Sequence, residues 1–462
     1  MQQNKDNISM KSVIQVDNEL LDNISYLLEV NADKSLLNIF ADLHPADIAE
    51  ILNHLKPEDA EAAFSILDTE TASEVLTELD ENLRERILKH IDKEKITDIV
   101  DELETDDATD IVSELPEQVA EHVLENIDKE DSEDVKELLK YPEDSAGGIM
   151  TSDFVFVHES ATVKDAIKEV RKHADEFEQI YHIYVLNDEG QLVGIVQLKS
   201  LLIYPLHKRI KSIMEKDLIY VTPEVDQEEV AAIMEKYDLV AIPVVDENRK
   251  MLGRITFDDI VDVIQEEASE DIQKMAGLTE EEELSYSTFR VSRNRLPWLF
   301  VSLFGEMISA VVLSSFEASI KEIIVASFFI PIVMAMGGSA GNQAAIVMVQ
   351  AMSSGSLWVK ESFTRLWKEF RVAMLNGIIS AIVLLALTHF IFKVDLNFGF
   401  ILSLSLFVIM VNATMIGAVV PIVLKKLGAD PVIATGPFVA TSNDIIGLLI
   451  YLSLITILYS PA

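Results

Sequence analysis

The stretch FVATSNDIIGLLIYL, residues 438–452, is an apolar run with one carboxylate, Asp444, near its middle. An ionised carboxylate is costly in hydrocarbon, and such residues face a bundle interior or an aqueous path. Asp444 is therefore a candidate for contact with a passing cation. Helical spacing sets Thr441, Asp444 and Gly447 along one face, with Ala440 on the same side and Asn443 pointing elsewhere. A plainer reading keeps Asp444 protonated, or hydrogen-bonded to a neighbour such as Asn412. Glu306, midway along another apolar run, is a second candidate. A third polar stretch is PIVMAMGGSAGNQAA, residues 331–345. Pro331 removes a backbone donor and the glycines permit close approach, so this reads as irregular backbone lining a watery cavity, with Asn342 and Gln343 as its polar groups. Gly337 and Gly341 also form a GxxxG pair, the alternative signature of helix packing.

The elements that must position these residues are membrane helices, each needing about 20 mostly apolar residues. Five runs qualify: 296–316, 323–352, 369–392, 398–424 and 431–459. The second, fourth and fifth are interrupted by Gly, Pro or polar residues. Arg290, Arg293 and Arg295 precede the first run; Lys360, Arg365, Lys368 and Arg371 lie between the second and third; Lys425 and Lys426 follow the fourth. The other two loops carry only Lys321 and Lys393. Positive charge stays inside, which puts the N-terminus in the cytosol and the C-terminus outside. The polar start MQQNKDNISMKS lacks the apolar core of a signal peptide. A multi-pass protein of the cytoplasmic membrane is expected. Five helices make a small pore wall, which favours a homo-oligomer.

The chain has 462 residues and a formal net charge of −41. From Leu296 onward eight acids balance eight bases, so the first 295 residues carry the whole excess. Such a surface repels nucleic acid and favours cations. There is no cysteine, which excludes disulfides and thiolate chemistry. No nucleophile–base pair or histidine metal motif is visible, and the nine histidines are scattered, so the chain does not read as an enzyme.

Residues 43–138 repeat every 12 residues, as in LHPADIAEILNH from Leu43 and IDKEKITDIVDE from Ile91. Each unit has an apolar start, a polar turn, then apolar residues near places six, nine and ten. That is one short helix per unit, and helices so short must stack into a solenoid. In TDDATD, Asp106 and Asp110 share a helical side and could hold a divalent cation; solvated acids near a helix N-terminus are the plainer explanation.

Residues 150–266 are duplicated. IYVLNDEGQLVGIVQLKSLL (183–202) aligns with IPVVDENRKMLGRITFDDIV (242–261) at an offset of 59 residues. Each copy reads as strand, amphipathic helix, two strands and a helix. The pattern resembles a tandem pair of CBS domains, a cytosolic module that often binds ATP or another adenine nucleotide. The family's Gly-x-x-Ser/Thr-x-x-Asp pattern is kept in the second copy as Gly253, Thr256 and Asp259, where the hydroxyl would approach phosphate and the Asp ribose. The first copy has Gly194 but Gln197 and Ser200. The next stretch crowds Asp259, Asp262, Glu266, Glu267, Glu270 and Asp271 on one helical segment. Like charges four apart destabilise a helix unless a cation neutralises them.

Taken together, the order of elements resembles the MgtE family of Mg2+ channels over nearly the whole chain from about residue 30. The stretches 331–345 and 430–452 are the most specific. The resemblance implies a multi-domain membrane protein: an N-terminal extension (1–29), an all-α helical solenoid (30–145), α/β tandem CBS domains (146–208 and 209–266), a connecting helix (267–295) and a five-helix α transmembrane domain (296–462). It implies a homodimer importing Mg2+, with Asp444, Ala440, Thr441, Gly447 and Asn342 at the pore. It further implies cytosolic Mg2+ sensing by Asp106, Asp110, Asp226, Glu228, Asp238, Asp259, Asp262, Glu267, Glu270 and Asp271. A transporter of Mn2+ or Co2+, and a non-conducting membrane sensor or scaffold, remain the alternatives.

Overall fold

The computed structural model describes residues 16–174, 177, 179–278, 288–317, 324–353 and 362–459. It divides into two compact units, 1–264 and 265–462.

The described residues of the first unit begin with ten short helices: α1 (Asn18–Glu29), α2 (Asp33–Phe40), α3 (Pro45–His54), α4 (Pro57–Ser65), α5 (Thr69–Thr77), α6 (Glu81–His90), α7 (Lys93–Val100), α8 (Thr105–Glu114), α9 (Glu117–Asn126) and α10 (Lys129–Leu138). Prolines open α3 and α4, where a missing N–H costs nothing. Asp68 caps α5 by accepting from Thr71 N at 3.1 Å. Each helix is only two to three turns, so its stability comes from packing. The repeat's apolar positions do this: Ile48, Ile51 and Leu52, then Ile96, Ile99 and Val100, are buried in one continuous core. Alternate helices stack, α3 on α5, α5 on α7 and α7 on α9. The solenoid starts earlier than the 12-residue repeat. Residues 18–29, read as part of an extension, form α1, whose Ile24 is buried in the same core.

The duplicated region follows, with β1 (Phe156–His158), α11 (Val163–Lys172), β2 (His182–Leu186), β3 (Leu192–Gln197) and α12 (Leu198–Ile203) in the first copy. The second copy holds α13 (Gln227–Tyr237), β4 (Ala241–Val245), β5 (Met251–Thr256) and α14 (Phe257–Ala276). β1 runs parallel to β2, and β2 antiparallel to β3. The duplication is kept in the register: Tyr184 pairs Ile195, and Pro243 pairs Arg254. Both hairpins carry an irregularity at the equivalent point, after Val185 and after Val244. α14 does not stop at the end of the second copy. It continues to Ala276, through most of the acidic segment, before residues 279–287, which lie outside the described residues.

The second unit contains α15 (Thr288–Ser315), α16 (Ile324–Ser327), α17 (Ile330–Ser353), α18 (Ser362–Phe390), α19 (Leu396–Lys426) and α20 (Pro437–Leu458). Five spans among the described residues are long and apolar enough to cross a membrane. α19 is central, packed against α17, α18 and α20. α20 also packs on α15 and α17. The glycine-rich stretch differs from the expectation. Residues 331–345 are unbroken helix within α17, and Pro331 sits in its first turn. The glycines serve packing: a Cβ at Gly417 would overlap the Gly341 carbonyl oxygen, so α17 and α19 meet backbone to backbone. The break falls instead before α20, at a 3-10 turn, Pro431–Ala434, followed by Gly436 at φ 60°.

Candidate functional site

The membrane group is built from the elbow that opens α20. Asp430 caps the 3-10 turn by accepting from Val432 N at 2.8 Å. Gly436 then turns the chain in the left-handed region, which glycine adopts without penalty. A Cβ there would lie 2.6 Å from the Met275 carbonyl oxygen at the end of α14, so glycine is required twice over. Gly436 N donates to Asn342 Oδ1 at 3.4 Å. Lys274, one residue before Met275, pairs with Glu270 and, at 3.5 Å, with Asp430.

One turn into α20, Thr441 packs against bare backbone: a Cβ at Gly305 of α15 would overlap its Cγ2. That close approach puts the next residue of α15, Glu306, beside Asp444, and the two carboxyl groups come within hydrogen-bonding reach. The expected pore residues therefore fall on more than one surface. Thr441 and Asp444 face α15. Ala440 and Asn342 both engage the elbow at Gly436, Ala440 through its N–H to the Gly436 carbonyl at 3.1 Å. Gly447 faces α17, where a Cβ would lie 3.2 Å from Met334 Sδ. Asn443 points away from Asp444 and is buried against Gly341.

The group in the first unit consists of neighbouring carboxylates. Asp106 lies in the first turn of α8, near Asp259 in the first turn of α14. Burial, with the charges of Asp259, Asp107 and Glu104, holds the Asp106 carboxyl well above its usual range. Burial likewise raises Asp259, although its carboxylate accepts from Thr256 Oγ1 at 2.6 Å and Thr256 N at 3.1 Å. Burial raises Glu78, at the end of α5, and Asp262 adds to it. Asp131 on α10 is pushed up to about 6 by burial and by Asp153, Asp128, Asp101 and Asp134.

The remaining expected acids are placed differently. Asp110, one turn after Asp106 on α8, is exposed. Asp226 caps α13, accepting from Glu228 N at 2.9 Å, and Asp238 is exposed at its other end with φ 52°. Glu267, Glu270 and Asp271 lie on the later turns of α14. Among the described residues, no set of three or more His, Cys, Asp or Glu is placed to hold a metal by itself. The sites offered are pairs, to be completed by water or by further groups. Sequence reasoning missed Glu78 and Asp131, which carry no local signal, because only tertiary packing gives them acidic neighbours.

At the nucleotide pattern of the second CBS copy, Thr256 and Asp259 are bonded to one another. The neighbouring Arg254 is 4% exposed, with Nη2 3.4 Å from Glu104 Oε2. In the first copy Gln197 donates to Glu215 at 2.9 Å.

Comparison with known proteins agrees with this architecture. The MgtE intracellular N domain matches residues 43–144, the CBS domain matches 146–207 and 210–266, and the divalent cation transporter domain of MgtE matches 330–454. The magnesium transporter MgtE of Bacillus subtilis (strain 168) is 37% identical over 322 residues, 70% of this chain and 71% of that one. The magnesium transporter MgtE of Thermus thermophilus is 34% identical over 327 residues, 70% of this chain and 72% of its own. The crystal structure of the cytosolic domain of the Mg2+ channel MgtE in complex with ATP covers 53% of this chain and 99% of its own, at 31% identity and a TM-score of 0.50. Fold, matches and membrane helices define a multi-pass divalent cation transporter with an intracellular CBS-containing half. The chain belongs to the MgtE family of magnesium transporters.

Proposed function

We propose that the chain is a Mg2+-selective channel that imports Mg2+ and is closed by cytosolic Mg2+, rather than an enzyme. The observation that carries the reading is Asp444, a carboxylate within a membrane helix, set against a second carboxylate, Glu306. Mg2+ is a hard cation that keeps several of its waters and takes one or two carboxylates. The groups present suit it: carboxylates at Asp444 and Glu306, a hydroxyl at Thr441, an amide at Asn342, and no thiolate anywhere in the chain. In a homodimer, Asp444 and its copy on the partner form a ring selecting cations by charge. The C-terminal end lies outside, and the membrane potential draws a doubly charged ion inward by roughly 4.6 kcal/mol per 100 mV.

Closure follows from the cytosolic pairs. Asp106 with Asp259, and Glu78 with Asp262, bring like charges together at partly buried positions. A divalent cation bound there removes the repulsion and favours the arrangement in which the carboxylates face one another. It shifts the equilibrium only by its preference for that arrangement. Asp110, Asp226, Glu228, Asp238, Glu267, Glu270 and Asp271 add weaker charge of the same sign. An adenine nucleotide such as ATP would meet the second CBS copy at Thr256 and Asp259, and so compete with the cation for Asp259.

The test is Mg2+ flux into liposomes holding the purified chain, measured against internal Mg2+ and against Mn2+ and Co2+ as competitors. Flux that is absent supports a sensor or scaffold. Flux unaffected by internal Mg2+ removes the closure mechanism. With Asp106→Asn and Asp259→Asn together, the dependence on internal Mg2+ becomes shallower.

A further inference from the structure

Asn443 is 3% exposed, and neither Oδ1 nor Nδ2 of its carboxamide has a hydrogen-bond partner among the described residues. Most buried side-chain amides are partnered, so this one asks for an explanation. Its seat is specific. A Cβ at Gly341 of α17 would overlap Asn443 Nδ2, and would lie 3.1 Å from the Ala413 carbonyl oxygen of α19 and 3.2 Å from Val439 Cγ1. The recess left by the missing side chain of Gly341 is filled by Asn443. Because Gly341 is itself pressed onto Gly417, α17 has no room to yield.

A side chain locked in such a recess fixes how α20 is turned about its axis. Successive residues of a helix are about 100° apart, so fixing Asn443 also fixes the direction of Asp444. On the far side Thr441 does the same against Gly305. We propose that Asn443 is a positioning residue for transport: seated in the Gly341 recess, it sets the rotation at which Asp444 presents its carboxylate. This rests on Asp444 being the pore carboxylate.

Packing alone does not account for an amide. Leucine has a similar volume and carries no polar atoms to bury. The Ala413 carbonyl, whose second lone pair is free of the helix ladder, borders the same recess. A small turn of α20 offers it to Nδ2. The amide thus suits a helix that leaves this rotation and returns to it, whereas leucine would hold one position.

Four variants of the full chain in liposomes test the proposal, with Mg2+ flux, its KM and the melting temperature measured for each. Asn443→Leu is expected to raise Tm by ~2 °C while lowering maximal flux roughly tenfold with KM little changed. A residue needed only for packing would show no such opposition. Gly341→Ala, which expels the amide, is expected to lower flux to a similar degree, and Gly341→Ala with Asn443→Ala, which has no amide to seat, to stay about as low. Normal flux in Asn443→Leu overturns the proposal. If that variant does not fold, normal flux in the double variant overturns it instead. Asp444→Ala separates the two readings. If it conducts normally, the pore assignment fails and this proposal with it; if it is inactive while the Asn443 and Gly341 variants conduct normally, only the positioning role fails.

Discussion

Asp444 has one other carboxylate beside it, Glu306. Glu306 reaches it because Gly305 lets α15 lie directly on Thr441. Replacing Asp444 by Ala is expected to lower Mg2+ flux by at least about tenfold, measured in liposomes with an imposed potential. Glu306→Gln keeps the shape and removes one charge; the expected outcome is a severalfold higher KM for Mg2+ with the fold intact. The cytosolic acids make a separate statement, about stability. Asp131 is raised to about 6 in the folded chain. A raised carboxyl favours the fold while protonated, and that contribution is lost as pH rises from near 4 through about 6. Asp131→Asn should flatten the fall in melting temperature across that window. At pH 7 it should stabilise by about 1 kcal/mol, after discounting for solvent screening at this partly exposed site. An unchanged pH profile would show that Asp131 ionises freely. None of these partners could be read from spacing. Asp444 was visible because a charge in an apolar run is conspicuous, whereas Glu78 and Asp131 are ordinary acids until the chain folds.

Elements were legible where a period repeats. The 12-residue unit marked eight helices of the solenoid because its apolar places must coincide with a shared core. α1 and α2 lack the unit and yet contribute Ile24, Leu36 and Phe40 to the same core. Truncating Leu76 or Ile99 to Ala, both fully buried, should cost 2–5 kcal/mol, read as a lower denaturant midpoint. Glycine was the misleading signal. In residues 331–345 its freedom suggested a broken helix, but there it supplies thinness, allowing Gly341 to lie on Gly417. At Gly436 the freedom itself is used. Gly436→Ala should therefore cost more than about 1 kcal/mol, through backbone strain and through collision with the Met275 carbonyl. A melting temperature equal to that of the parent chain would show that the elbow relaxes cheaply.

For the whole molecule the informative quantity is where charge is kept. The first 295 residues carry the entire −41, while the remainder is neutral. The same division was readable from composition, and so was the duplication, whose offset of 59 residues reappears in the pairing of Tyr184 with Ile195 and Pro243 with Arg254. The acid-dense stretch after the second copy, read as helical, is α14. It is a single helix from Phe257 to Ala276. A continuous helix behaves as a drive shaft, and a shaft has a phase. One extra alanine after Ala268 rotates everything beyond it by about 100°, whereas four bring the phase back to within about 40°. If the cytosolic half controls conduction by torque along this helix, the single insertion abolishes the response to internal Mg2+ and the fourfold insertion largely restores it. Equal responses from both would mean that the signal travels by another route.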